Sequence, residues 1–152
     1  MSLISNIKTT MAHKHIKTTT TINATPQKVW QVLTNFAQYP SWNPFLKSIR
    51  GQMQVGSKIT VNAGGTTFKP TVLVYKPHKE LRWLGSLFMK GIFDGEHSFT
   101  IHDNGNGTVT FKHEEQFNGL LVGLMAKKLD NEVKQGFEQM NARLKALAES
   151  ES

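Results

Sequence analysis

The stretch from about Leu120 to Ala148 constrains the fold more than any other part of the chain. Leu129, Val133, Gly136, Phe137, Met140, Leu144 and Leu147 recur at steps of three and four, which on a helix is one continuous apolar stripe. Lys128, Asp130, Lys134, Glu138, Arg143 and Lys145 fall mostly off that stripe, and no proline interrupts it. Good helix formers predominate throughout. At ~1.5 Å per residue the stretch makes a rod of about 40 Å. A one-sided rod of that length needs an apolar surface to lie on, and the upstream segments are expected to supply it.

Residues 1–13 carry no pattern and read as a flexible tail ahead of a single domain over residues 14–149. His15–Ala24, rich in threonine and framed by Ile16 and Ile22, predicts a first strand. Thr25-Pro26 then supplies an N-cap hydroxyl and a proline at the first helical position. Val29, Trp30, Leu33 and Phe36 form the apolar face of the short helix that follows. Tyr39, Trp42 and Phe45 around Pro40 and Pro44 predict a compact corner, with Trp42 and Asn43 locking the passage from helix to strand. Gly64-Gly65 is a hairpin signal that pairs Val61 with Phe68. A turn at Pro77–Glu80 opposes Val74 to Trp83, keeping Leu81, Trp83 and Gly85 on one face. Leu87-Phe88-Met89 is an apolar connection that forms a lip over an opening or folds back into the core.

The most informative hairpin is Gly91–Phe117, turning at Asn104-Gly105-Asn106. On one arm Phe93, Gly95, His97, Phe99 and Ile101 share a face; on the other Val109, Phe111, His113, Glu115 and Phe117 do. A three-residue turn pairs Phe99 with Phe111 and His97 with His113, leaving Glu115 opposite Gly95 and diagonal to His97. Three ionisable side chains thus share an otherwise apolar face. The expected architecture is α+β: a curved antiparallel sheet of about seven strands around a long C-terminal helix, with one or two short helices after the first strand.

Composition narrows the function classes. The 152 residues include no cysteine, which removes disulfides, thiolate metal sites and a cysteine nucleophile and agrees with a cytoplasmic location. No apolar run is long enough to span a bilayer. The net charge is +7, but Lys127-Lys128 is the only adjacent Lys/Arg pair. The basic residues are too dispersed for a nucleic-acid groove, so neither nucleic acid nor stable membrane insertion is expected. Walker, Rossmann, HExxH and GxSxG motifs are all missing. No cofactor and no metal is expected, and the protein is expected to be a monomer or homodimer.

Several motifs carry a resemblance. Ala24–Thr34, Tyr39–Phe45, Glu80–Trp83, Gly95–Phe99, Phe111–Phe117 with Gly119–Leu121, and Gly136–Asn141 together resemble the SRPBCC superfamily. This is the START-like, birch-pollen-allergen-like helix-grip group that includes polyketide cyclases/dehydrases and lipid-transport proteins. The resemblance spans about residues 15–148 and implies a hydrophobic cavity between sheet and terminal helix. The residues agree, because a bent sheet and a straight helix rarely fill the space between them. Phe68, Val72, Val74, Trp83, Phe93, Phe99, Phe111, Leu129, Val133, Phe137 and Met140 are expected to form its wall.

His97, His113 and Glu115 then admit three readings. They form a satisfied polar patch that fixes strand register, or they anchor the polar head of an apolar ligand. In the third they are chemical, as a general base or a two-histidine, one-carboxylate metal site. The function expected first is binding of a small hydrophobic or amphipathic molecule, as carrier or sensor. The alternatives are a cyclase/dehydrase-like enzyme and a chaperone-activator-like adaptor working through its surface.

Overall fold

A computed structural model describes residues 12–87 and 89–150. Strand β1 (Ala12–Ile22) takes in His13, placed in the tail by sequence; residues 1–11 lie outside the described part. Helix α1 (Pro26–Thr34) starts as its residues dictate: Lys28 N–H donates to Thr25 Oγ1 at 3.1 Å and proline opens the first turn. A 3-10 turn at Phe36–Gln38 and the short helix α2 (Tyr39–Trp42) complete the corner. There the buried Tyr39 hydroxyl donates to the Leu33 carbonyl.

Eight strands follow the α+β expectation, but in two sheets rather than one of about seven strands. The larger sheet runs β1-β8-β7-β6-β5, from β5 (Thr71–Lys76), β6 (Glu80–Leu87), β7 (Phe93–Asp103) and β8 (Val109–Gly119). The smaller joins β2 (Leu46–Arg50), β3 (Thr60–Ala63) and β4 (Thr66–Phe68). Gly64-Gly65 makes the β3–β4 turn and pairs Val61 with Phe68, as the sequence requires. A lone bridge between Lys58 and Thr71 marks where the two sheets meet.

Two strand registers differ from the sequence expectation. Between β5 and β6 the register shifts at residues 72–74, so Trp83 faces Val72 and Val74 faces Arg82. The bulge adds one residue and breaks the alternation that aimed Val74 inward. In the β7–β8 hairpin Asp103 pairs with Val109, which brings Phe99 opposite His113 and His97 opposite Glu115. The loop spans residues 104–108 rather than three residues, held by Asn104, Asn106 and Thr108 hydrogen bonds. Because the slip is by two, every side chain keeps its face.

The terminal helix begins later than its hydrophobic pattern. Residues 120–125 form turns, and α3 (Ala126–Lys128), a π turn (Leu129–Val133) and α4 (Lys134–Glu149) then run on continuously. The π turn rotates its residues relative to α4, a device common at functional sites. At the far end Leu147 is exposed and Ala148 is buried in its place.

Two apolar clusters fill the interior. One gathers Ile22, Val29, Leu33, Tyr39, Leu81, Phe99, Phe111, Met140 and Leu144. The other gathers Ile16, Phe93, Phe117, Val122, Leu129 and Phe137. Phe45 packs against both.

Candidate functional site: a cavity walled by both sheets and the terminal helix

Between the two clusters lies a cavity of about 410 Å³. Leu46, Val61, Phe68, Trp83, Phe93, Phe117, Leu129 and Val133 give it an apolar wall. Exposed Gly64, Thr66, Lys128, Glu132, Gln135 and Gln139 form its rim. Gly85 and Gly95, direct cross-strand partners, both line it, with Pro70 packed over the first and Glu115 Oε1 over the second. Gly136 also lines it, but the space its missing side chain leaves is taken: a Cβ there would collide with the Phe45 ring.

Of the expected wall, Phe68, Trp83, Phe93, His97, Glu115, Leu129 and Val133 line the cavity. Val72, Phe99, Phe111, His113, Phe137 and Met140 are instead fully buried in packing, and Val74 sits beyond the bulge. The expectation read one face of a curved sheet as one surface. The curvature divides that face into a part that meets the cavity and a part that meets helix α4. Leu87 lines the cavity and Met89 is exposed, while Phe88 lies outside the described residues. Arg82 lies on the outer face, paired with Glu96 at 3.1 Å and Glu80 at 3.5 Å.

The corner lock read at Asn43 is present in the structure, and one group, Asn141, escaped the sequence reading. Asn43 Oδ1 accepts from the Phe45 and Leu46 N–H groups at 3.0 and 2.9 Å, turning the chain so that Phe45 enters the cavity wall. Asn141 lies on the buried face of α4 between Phe137 and Leu144; its spacing of four and three from those residues was the available signal.

Asn141 completes a buried polar chain. Glu115 Oε2 meets His97 Nδ1 at 2.9 Å, His97 Nε2 meets His113 Nε2 at 2.7 Å, and His113 Nδ1 meets Asn141 Oδ1 at 2.9 Å. Asn141 Nδ2 donates to Thr18 Oγ1 at 2.8 Å, and the Thr18 hydroxyl donates to the His113 carbonyl at 2.7 Å. The proton positions follow from the Thr18 end. Its one hydrogen goes to a carbonyl, so its other partner must be a donor, which turns Asn141 Oδ1 toward His113. His113 therefore carries its hydrogen on Nδ1 and accepts at Nε2, and His97 donates from Nε2. One further proton lies between His97 Nδ1 and Glu115 Oε2.

The rings are clamped by stacking. His97 lies on Trp83 at 5.0 Å and 15°, and His113 lies on Phe137 at 3.9 Å and 14°. Burial first, and the neighbouring His97 second, hold His113 well below the ordinary histidine value of 6.5, against the opposing Asn141 bond. Only Glu115 and His97 of the chain reach the cavity. The three ionisable groups form a line rather than a converging set, and among the described residues no three His, Cys, Asp or Glu side chains are grouped as metal ligands.

A pH effect on stability follows. The unfolded chain takes up a proton at this histidine near its ordinary value while the folded chain does not, so stability is full above that value and falls as pH drops below about 6.5. The slope contributed approaches ~1.4 kcal/mol per pH unit for one such group. Urea unfolding of the protein and of His113→Gln between pH 8 and pH 5 measures it. The parent is expected to lose stability more steeply, and parallel curves would rule the effect out.

The profile of the family described as polyketide cyclase / dehydrase and lipid transport matches residues 13–149. The chain belongs to this family. Among solved structures, a hypothetical protein from Helicobacter pylori is 16% identical over 89% of this chain and 88% of its own, with a TM-score of 0.76. A START superfamily protein from Mycobacterium smegmatis is 19% identical over 90% and 99%, with a TM-score of 0.67. A norcoclaurine synthase point mutant from Thalictrum, in complex with a transition-state analogue, is 12% identical over 91% and 95%, with a TM-score of 0.69. At these identities the likeness is one of fold. No curated protein is significantly similar in sequence. As a polyketide cyclase/lipid-transport family member the chain has a START-like ligand-binding fold, and among its described residues no helix is long and apolar enough to cross a membrane.

Proposed function

We propose that this family member binds a small hydrophobic or amphipathic molecule in the cavity, as a carrier or sensor. The observation that carries the reading is an apolar cavity of about 410 Å³ with a single inner polar corner, Glu115 and His97. That volume lies within the ~300–1,000 Å³ of small-molecule pockets, which are mostly apolar with a few placed polar groups. An adaptor acting only through its surface has no use for such a void.

One feature favours a second reading, a cyclase/dehydrase-like enzyme. The Glu115–His97 pair shares a proton at the cavity wall, the arrangement a general acid–base needs. The chain behind it ends blind at Asn141 and Thr18, so any proton it exchanges passes through Glu115.

Organic extraction followed by native mass spectrometry tests the binding reading. Purified protein is expected to carry or take up an apolar molecule. Val133→Trp, which pushes an indole into the cavity from the π turn, is expected to abolish uptake with an unchanged circular dichroism spectrum. Uptake that survives Val133→Trp, or protein that binds no apolar molecule at all, would overturn it. Turnover lost in Glu115→Gln with binding retained would decide for the enzyme.

A further inference from the structure

The polar corner also specifies what kind of head group it accepts. Both nitrogens of His97 are already engaged, Nδ1 with Glu115 Oε2 and Nε2 with His113 Nε2. His97 therefore has no donor left to offer. The remaining polar side chains of the lining are exposed ones at the rim. What is left inside is Glu115 Oε1, which takes no hydrogen bond among the described residues. It lies over Gly95, where a Cβ would collide with it, on the wall of the cavity.

The proton count fixes the character of that oxygen. If the proton between Glu115 and His97 resides on His97 Nδ1, Glu115 is a carboxylate and Oε1 is an acceptor. If it resides on Glu115 Oε2, Oε1 is the carbonyl oxygen of the acid and is again an acceptor. In either arrangement the pair is neutral as a unit. A carboxylate head brought against it has no hydrogen to give and sets two acceptors face to face in an apolar site. A head with a hydrogen to give meets a ready partner.

Resting on the binding reading above, we propose that the cavity takes an uncharged molecule whose head group donates a hydrogen bond to Glu115 Oε1, as an alcoholic or phenolic hydroxyl does, and that it discriminates against fatty-acid-like carboxylates and against ethers. Glu115 is then the specificity-determining residue, and Gly95 is the position that leaves its outer oxygen room.

Titration calorimetry at pH 7.5 with decanol, decyl methyl ether and decanoate tests it, because the three share one apolar body and differ only in the head. Decanol is expected to bind at least about tenfold tighter than either of the others, the equivalent of one good hydrogen bond. The double variant Glu115→Leu, His97→Phe, which removes Glu115 together with the acceptor that His97 Nδ1 would otherwise offer, is expected to bring the three within about threefold of one another. Glu115→Gln is expected to keep the preference. His97, obliged to donate from Nε2 to His113, then accepts at Nδ1 from the amide N–H, and the amide oxygen faces the cavity. Decanoate or the ether binding as tightly as decanol overturns the head-group assignment while leaving the cavity reading intact, as does a preference that persists in the double variant Glu115→Leu, His97→Phe. If none of the three binds, the cavity reading fails and this one with it.

Discussion

Phe137→Ala is expected to cost about 3–5 kcal/mol of unfolding free energy, the range for removing a large aromatic ring from a packed interior. The ring is fully buried, and it is held on several sides. Its face stacks on His113 at 3.9 Å, while Phe45 packs on it edge to face at 5.3 Å and His97 does so at 5.2 Å. None of these neighbours is free to collapse into the gap. His113 is tied at both ring nitrogens, and Phe45 is fixed by the Asn43 turn behind it and by the Gly136 backbone beneath it. Rigid walls push the cost toward the upper end of the range, since relaxation is what lowers it. Urea unfolding at pH 7.5 gives the value. A loss below about 1 kcal/mol would mean that the ring is not wedged as described.

How much of this was legible from residues alone depends on the kind of signal. Alternation along β7 and β8 put His97, His113 and Glu115 on one inner face, and they share it, because a slip of two residues leaves parity untouched. Which residue sits opposite which was not legible. That depends on the loop, and side-chain bonds among Asn104, Asn106 and Thr108 support a wider loop than the glycine spacing implied. Val74 was misplaced by a bulge, which inserts a residue without marking the hydrophobic pattern. The helix stripe was legible from Leu129 to Leu144, but the stretch expected to be helical from about Leu120 opens with a segment that turns instead. The cavity wall was half legible. Alternation identifies the inner face, whereas the division of that face between void and packing depends on the approach of α4. Asn141 went unread because a polar residue within an apolar stripe has no meaning until its partners on β1 and β8 are known.

Asn141→Ala is the second large effect, expected at about 2–4 kcal/mol. Two opposing terms set it. Alanine is the better helix former, worth roughly 0.5 kcal/mol in favour of the variant. Against that, the His113 Nδ1–H loses its acceptor in a site with no exposure, a penalty of ~1–3 kcal/mol, and the Thr18 hydroxyl loses the donor that served its lone pair. A side-chain-sized hole is added beside Leu144 and Met140. His113 can move its hydrogen to Nε2 only if His97 stops donating there, since two N–H groups would otherwise face each other at 2.7 Å, and His97 must then donate to Glu115 from Nδ1. The damage should therefore travel along the chain to Glu115. The His113 ring hydrogen is expected to give a sharp resonance in the parent that broadens or vanishes in Asn141→Ala, and the alcohol preference proposed for the cavity is expected to weaken. Asn141→Asp separates bond from charge. A carboxylate there accepts from His113 equally well but repels the Thr18 oxygen and favours a protonated His113, so its deficit is expected to shrink as pH falls from 7.5 to 5.5. Urea unfolding of the three proteins at both pH values measures the stability differences, and an Asn141→Ala variant as stable as the parent would show that the buried chain carries no stability.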